Sequence, residues 1–390
     1  LNEQPRTLKA MLAHAKDTSE LMLDLAYAGL FYADRDLSGE VLELEEELSR
    51  LVHRMREVCL IASRSPQDAA GLASLLQVMS GIEMIGNQAV DIAKIVLDSL
   101  GIPKELMTDL SQADEVIDRM QVGEGSELHG RSVDELENAV EEVRLLAIRR
   151  GTRWLFDPAD EGVLQAGDIL VVRGHPEGLP QLRRLAGMAA KPGPSTDESS
   201  FWELDKAVDE VVDMKDMAEA AVGLAYAAVL FDDRGLAAEV VRLEDRLDDM
   251  RESIESWVLD AAAESRNRPA LRGLMHLAVA SESIGDAAQA MVWLIERDEE
   301  LHPVIAEALG AAEDVVQGVT VHEQAPAENK SLGELDLRGM SPLAFSRRGR
   351  WIYRPRGRTV LQSGDRLILI GPSDAVEHLE YLFGDEGEED

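Results

Sequence analysis

The sequence predicts an α+β protein of several domains, in which two all-α helical bundles alternate with two small α+β modules. Three observations carry that prediction. IEMIGNQAVDIA at Ile82–Ala93 returns in edited form as SESIGDAAQAM at Ser281–Met291, so that Glu83 and Glu282, Ile85 and Ile284, and Gly86 and Gly285 all stand 199 residues apart. The same spacing pairs Leu25-Ala26-Tyr27-Ala28 with Leu224-Ala225-Tyr226-Ala227, and Asp34-Arg35 with Asp233-Arg234. A constant spacing over that distance is a duplication. Each copy opens with long runs of helical periodicity and closes with a glycine-punctuated stretch of short apolar runs.

Helical spacing holds from about Arg6 to Ala33, from Asp36 to Ser63 and from Gln67 to Leu100. In the second run Leu37, Val41, Leu44, Leu48, Leu51, Met55 and Val58 form one stripe, while Glu40, Glu43, Glu46, Glu47, Arg50 and Arg54 form a wet face. Gly101 and Pro103 are stop signals, and three long helices with short joints read as a bundle. Pro103 opens a shorter helix, expected to reach about Met120.

The grammar then changes. Gly123, Gly125 and Gly130 crowd a loop, Ser132 and Glu135 make a capping box before a helical run at Val133–Glu141, and strands are expected at Leu145–Ile148 and Ile169–Val172, the second led in by Gly167-Asp168. A short helix, Leu179–Leu185, ends near Gly187. Lys191–Ser200 is a linker by composition. Phe201–Phe231, Arg234–Ser265 and Pro269–Ile295 then repeat the three helices, and His302–Val316 the fourth. Beyond that point the spacing shrinks to 197, pairing Trp154 with Trp351, Pro158 with Pro355 and Gly167-Asp168 with Gly364-Asp365. Two residues have been lost from a loop. The expected domains are a bundle at 1–120, a module at 121–189, a linker at 190–200, a bundle at 201–318, a module at 319–384 and an acidic tail at 385–390.

Composition bounds the function. The formal net charge is −36, from 75 Asp plus Glu against 39 Lys plus Arg. Such an excess keeps a protein soluble where high salt screens self-repulsion, and it points to a halophile's cytoplasmic protein. It argues against nucleic-acid binding, which needs a basic footprint. The single cysteine, Cys59, rules out an intramolecular disulfide and sits in an apolar pattern suited to a buried thiol. No apolar run reaches the ~20 residues of a membrane span, so direct membrane insertion is not expected and any membrane link would run through a partner.

The helical unit resembles the PhoU-like domains on the strength of Glu83-Met84-Ile85-Gly86-Asn87 and Glu282-Ser283-Ile284-Gly285-Asp286 in the third helix. The α+β unit is similar to the TrkA-C domain, the C-terminal ligand module of cytosolic subunits that gate potassium channels and transporters. Arg149-Arg150-Gly151, Pro158 and Leu164-Gln165-Ala166-Gly167-Asp168 carry that likeness, with Arg347-Arg348-Gly349, Pro355 and Leu361-Gln362-Ser363-Gly364-Asp365 in the second copy. The alternation of the two likenesses, twice over, is similar to an archaeal PhoU and TrkA-C arrangement. It implies a regulatory, ligand-sensing subunit of a membrane cation channel or transporter, potassium first among the cations, with a PhoU-type metal-binding adaptor of phosphate signalling as the alternative.

Two sets of site residues follow. Carboxylates three or four residues apart share a helix face, which places Asp17, Glu20 and Asp24 on one stripe and Glu83, Asn87 and Asp91 on another. By the PhoU resemblance a divalent metal would be held by Glu83 and Asp91 and by Glu282 and Asp286, although Asn87 interrupts the first copy and Gly223 stands opposite Asp24. The second set is basic. From Arg338 to Arg366 the chain carries Arg338, Arg347, Arg348, Arg350, Arg354, Arg356, Arg358 and Arg366, with Asp365 the only acid. Such an island gathers anions, unless it pairs with the acidic helices. Because some TrkA-C domains bind cyclic di-AMP between paired modules, the resemblance implies cyclic di-AMP or another small anionic nucleotide as ligand, with Arg347, Arg348 and Arg354, and Arg149 and Arg150 in the first copy, as contacts, and a homodimer as the assembly. No zinc-binding histidine pair, nucleophile elbow, P-loop or dinucleotide fingerprint is present, so no enzyme is expected.

Overall fold

In a computed structural model the helices and strands follow the duplicated plan. The structure describes residues 7–63, 65–101, 116–137, 140, 143–151, 153–155, 163–174, 178–188, 202–264, 268–297, 302–309, 314–347, 350–353, 355, 357 and 359–384. The linker and the acidic tail expected from composition lie outside these residues.

The first bundle consists of α1 (Leu8–Tyr32), α2 (Arg35–Ala62) and α3 (Pro66–Leu97). The first module follows with β1 (Val116–Gln121), α4 (Val133–Glu137), β2 (Val143–Arg150), β3 (Arg153–Leu155), β4 (Ile169–Gly174) and α5 (Leu179–Leu185). The second bundle is α6 (Trp202–Phe231), α7 (Arg234–Glu264), α8 (Arg268–Glu296) and the short α9 (Pro303–Leu309). The second module has β5 (Asp314–Thr320), β6 (Ser341–Arg347), β7 (Arg350–Tyr353), β8 (Arg366–Pro372) and α10 (Val376–Phe383).

The long helices match their predicted spans because each has an apolar stripe and a defined stop. Asp34 caps α2 by accepting the backbone N–H groups of Asp36 (2.9 Å) and Leu37 (3.2 Å), and Asp233 caps α7 in the same way at Gly235 and Leu236. The glycine of the repeated motif is a packing residue. A Cβ on Gly86 would stand 2.6 Å from Leu48 of α2, and one on Gly285 2.6 Å from Leu247 of α7. The capping box also forms, with Ser132 N–H donating to Glu135 at 2.9 Å and Glu135 N–H returning to Ser132 at 3.2 Å.

Two expectations need correction. Of the helix expected from Pro103 to Met120, the end over Val116–Met120 belongs to a strand, Val116–Gln121, and the rest lies outside the described residues; of the helix expected from His302 to Val316, the described part is Pro303–Leu309, residues 310–313 lie outside, and β5 starts at Asp314. Each module therefore begins before the boundary expected at 121 or 319. The run Val116–Gln121 is too short for periodicity to decide between helix and strand, and long-range pairing with β4 settles it. Each sheet is four-stranded and antiparallel, in the order β1-β4-β2-β3 and β5-β8-β6-β7, so both contain a first strand and a short edge strand that the sequence reading lacked. A register shift falls at Leu145/Ala147 and again at the matching Pro342/Ala344.

One face of each sheet covers its own core. In the first module Met120, Leu145, Ile148, Leu170 and Val172 pack with Leu179 and Leu182 of α5. The other face looks at the helices: Leu146, Ala147 and Val171 of the first module, and Val316, Leu343, Ala344 and Ile368 of the second, belong to the continuous core of both bundles. The bundles pack on one another through α3 and α8, which run antiparallel. Gln77 donates to the Ala290 carbonyl (2.9 Å), Ser74 Oγ accepts the His302 N–H (3.0 Å), and a Cβ on Gly81 would stand 2.3 Å from Met291.

Candidate functional site

Four places combine charge with burial: the turn of each module, the seat of each module on its bundle, the contact between the bundles, and the carboxylate face of the second bundle. In the turn, Gly167 at φ +92° and Gly364 at φ +85° reverse the chain, and the aspartate that follows is buried. Asp168 accepts Arg150 Nε (2.9 Å), Arg150 Nη2 (2.8 Å) and the Gln165 N–H (2.8 Å), while Arg150 also donates to the Val163 carbonyl (3.1 Å). Asp365 accepts Arg347 Nε (2.8 Å), Arg347 Nη2 (2.5 Å) and the Gln362 N–H (2.8 Å), and Arg347 donates to the Val360 carbonyl (2.7 Å). Asp365 holds the Arg347 pKa above its ordinary value through that hydrogen bond. Two residues expected to meet a ligand thus brace the Gly-Asp turn, spending three of the five guanidinium donors. Arg348 and Arg354 lie outside the described residues.

Arg149 points the other way. Alternation along β2 sets it on the bundle-facing side, where its Nη1 reaches Asp36 Oδ2 at 3.2 Å. It is one of three arginines there. Arg119 of β1 pairs with Asp34, and Arg173 of β4 meets both oxygens of Asp24 at 3.0 and 2.9 Å. Behind them the Tyr32 hydroxyl donates to Asp118 (2.6 Å), which also takes a two-point contact from Arg183 of α5. Burial, then the Asp118 charge, pushes the Tyr32 pKa far up, so the phenol stays protonated as donor. The stripe Asp17, Glu20 and Asp24, expected as a solvated or metal-binding face, is therefore divided, with Asp24 spent on the module.

The second seat has different chemistry at the same positions. Tyr32, Asp118, Arg119, Arg149, Arg173, Arg183, Asp24 and Asp36 correspond to Phe231, Gln317, Gly318, Ser346, Ile370, Glu380, Gly223 and Gly235. Leu343 closes directly on Gly223, where a Cβ would meet its Cδ1 at 2.4 Å, and the Phe231 ring lies against Gly318. The capping aspartate keeps its role, since Asp233 Oδ2 accepts Arg366 Nη2 at 2.8 Å, but that arginine comes from β8. Burial raises the Asp233 pKa; the Arg366 hydrogen bond and the capping N–H groups outweigh it and leave the carboxyl below its usual range.

The bundle contact holds a feature that the sequence reading missed. Lys16 of α1 is 1% exposed; it pairs with Glu20 (2.7 Å) and its ammonium lies 5.2 Å from the ring centre of Tyr226 on α6. Lys215 of α6 is also buried, pairs with Glu219 (2.8 Å) and lies 5.1 Å from the ring centre of Tyr27 on α1. Both relations obey the 199 spacing. The signal available was that two of only eight lysines fall at matched positions inside apolar helices.

Of the metal candidates, Glu83 receives both Nη atoms of Arg56 (2.5 and 3.4 Å), and Asp91, half exposed, pairs with Lys94 (2.8 Å). The second bundle is different, because Arg56 has become Glu255, Ser49 has become Asp248 and Asn87 has become Asp286. Glu244 and Asp248 on α7 face Asp286 and Glu282 on α8. Burial, then Asp248, Asp286 and Asp245, push the Glu244 carboxyl up to about 7, and burial with Asp286 raises Glu282. Gln289 donates to Glu244 at 2.7 Å, and Arg251 approaches Glu282 at 3.6 Å. The donors are the right type for a hard cation. Among the described residues, however, no three carboxylate, histidine or cysteine side chains converge as a ready ligand set.

Comparison with known proteins agrees with this division. The sequence profile of the PhoU domain matches residues 12–96 and 211–293, and that of the TrkA-C domain matches 119–187 and 316–384. No curated protein matches the chain significantly in sequence. Among solved structures, PhoU from Pseudomonas aeruginosa aligns over 74% of this chain and 93% of its own at 14% identity, with a TM-score of 0.38. The GsuK channel bound to NAD aligns over 70% of this chain at 14% identity and a TM-score of 0.18, and the match spans about half of that protein, 53%. The GsuK RCK domain gives 15% identity, 70% and 64% coverage and the same TM-score. Those overlaps are too loose to carry an argument, and the domain assignment rests on the two profiles and the duplicated fold. The chain carries two stretches that match the PhoU domain, alternating with two that match the TrkA-C domain.

Proposed function

We propose that the chain is a regulatory, ligand-sensing subunit of a membrane cation channel or transporter, potassium being the first cation to test. The observation that carries this reading is the seating of each TrkA-C domain on its own PhoU domain, with three strand residues of the first module and four of the second continuous with the helical core. A ligand that shifts a module then acts directly on the helices. No described helix is long and apolar enough to cross a membrane, and the pore in this reading is a separate protein. Affinity capture of the tagged chain from membranes, in high salt, should return one cation permease; recovery of none, with folded bait, removes the reading.

The ligand proposed is a small anionic nucleotide, cyclic di-AMP first, at Arg347, Arg348 and Arg354 of the second module or Arg149 and Arg150 of the first. Supporting it, the Arg347 side chain remains one-third exposed (32%) with two donors beyond its turn contacts. Calorimetry with cyclic di-AMP should show heat that Arg348→Ala with Arg354→Ala reduces at least about tenfold; no heat for folded protein excludes this ligand.

A second reading, a metal-binding PhoU-type adaptor, draws on Glu244, Asp248, Glu282 and Asp286, whose crowded carboxylates a divalent cation would relieve. Stoichiometric iron, manganese or zinc lost on Glu282→Ala with Asp286→Ala would support it, and metal-free protein that gains no thermal stability from added metal would end it. The gain should be larger at about pH 8 than at about pH 6, because Glu244 must first lose its proton.

A further inference from the structure

The two modules are seated by opposite kinds of force, and the difference decides which of them can move. At the first seat Arg119, Arg149 and Arg173 stand on one face of the sheet around Val171 and Ala147, each answered by an aspartate of the bundle. At the second the matching positions are Gly318, Ser346 and Ile370, and the contact is made by Leu343 on Gly223 and Phe231 on Gly318, with one ion pair, Arg366 on Asp233, at its edge. Apolar contact is short-ranged and indifferent to moderate salt. Ion pairs whose arginines are 20 to 32% exposed are weakened by electrolyte, most at Asp36, which is 75% exposed, and less at Asp34 and Asp24, and once separated all of these partners are solvated. Opening either seat exposes apolar residues, Leu146 and Val171 at the first and Leu343 and Ile368 at the second, but only at the first do three ion pairs add a part of the cost that falls as ionic strength rises.

We infer that the first TrkA-C domain is held by an electrostatic latch that releases as salt rises, while the second TrkA-C domain is a fixed anchor. The inference deepens the regulatory reading by naming the module that moves and the signal, cytosolic ionic strength, to which its seat responds. It requires neither a ligand nor a transporter for its test, so its failure is distinguishable from failure of that reading.

Ala147 and Ala344 are matched, fully buried residues of the two bundle-facing strand surfaces, and the native Cys59 is buried. Ala147→Cys and Ala344→Cys in the full chain therefore report the opening of each seat through their rate of reaction with an aromatic disulfide reagent. From about 0.3 M to about 2 M KCl, the rate at Ala147→Cys should rise roughly tenfold relative to that at Ala344→Cys. Arg173→Asp should accelerate Ala147→Cys labelling at all salt concentrations, and adding Asp24→Arg should bring protection back. Should Arg173→Asp fail to fold, Arg173→Gln gives the same comparison with a smaller change. A global effect of salt on this acidic chain moves both reporters together. Parallel rates, faster labelling at Ala344→Cys, or full protection of Ala147→Cys in the Arg173 variants would overturn the latch.

Discussion

The two halves of the chain have kept one fold and exchanged the places where charge is held. In the first half the bundle face is neutralised by Arg56 on Glu83, and the charge lies at the module seat, in Asp24, Asp34 and Asp36 against three arginines. In the second half the seat is mostly apolar, and the charge lies on the bundle face, where Glu244, Asp248, Glu282 and Asp286 crowd together with Glu255 in place of Arg56. Duplication provides two copies of each surface, and in each case one copy carries most of the charge. A polar seat can be opened and a carboxylate face can be bridged by a cation, so the proposed mobile module and the proposed cation site fall in different halves.

Substitutions that exchange residues between halves sharpen this contrast. The largest effect is expected for Gly223→Asp, which imports the residue of the first seat into the second. The carboxylate would be pressed on Leu343 without Arg173 to meet it, and should cost about 3–5 kcal/mol in denaturant unfolding. The reciprocal Asp24→Gly removes one ion pair and adds a helical glycine, for about 1–3 kcal/mol. Equal costs would mean the seats do not differ in kind. Next come the packing glycines: Gly86→Ala and Gly285→Ala should each cost about 1–3 kcal/mol, because the Cβ must displace Leu48 or Leu247. Here the halves should agree, and a large inequality would show that the bundles are less alike than their spacing suggests. The smallest pair reverses in sign. Glu83→Gln loses the Arg56 contact and should destabilise by about 0.5–1 kcal/mol, whereas Glu282→Gln relieves crowding with Asp286 and should stabilise by a similar amount in metal-free protein.

Much of the architecture was legible because it depends on local pattern. The 199 and 197 spacings marked out the four repeated units, and apolar stripes with stop signals placed the long helices within about three residues of their ends. β1, β3, β5 and β7 were not legible, because a strand of three to seven residues owes its state to the strand beside it. The turn-bracing contacts of Arg150 and Arg347 were not legible for a related reason. A basic residue in an Arg-Arg-Gly run looks like a free charge in one dimension, and only the fold shows that the aspartate of the Gly-Asp turn, 18 residues away along the chain, is buried beside it and needs a counter-charge. Asp24 is the clearest case, since its arginine is 149 residues distant. Lys16 and Lys215 were overlooked although the repeat marked them, because a lysine in an amphipathic helix is ordinarily read as surface.

The antiparallel crossing of the bundles has a consequence for assembly. Lys16 faces Tyr226 and Lys215 faces Tyr27, so α1 and α6 point in opposite directions, and the capping residues Asp34 and Asp233 at the two seats are separated along the helix axes by about 35 Å. Among the described elements no substantial contact joins the two sheets. A module that pairs with another module from this arrangement takes its partner from a second chain, and each chain offers two such modules, one fixed and one latched. Joined like to like, such bivalent units build rings or rows, in which release of the latched module would change the spacing between neighbours.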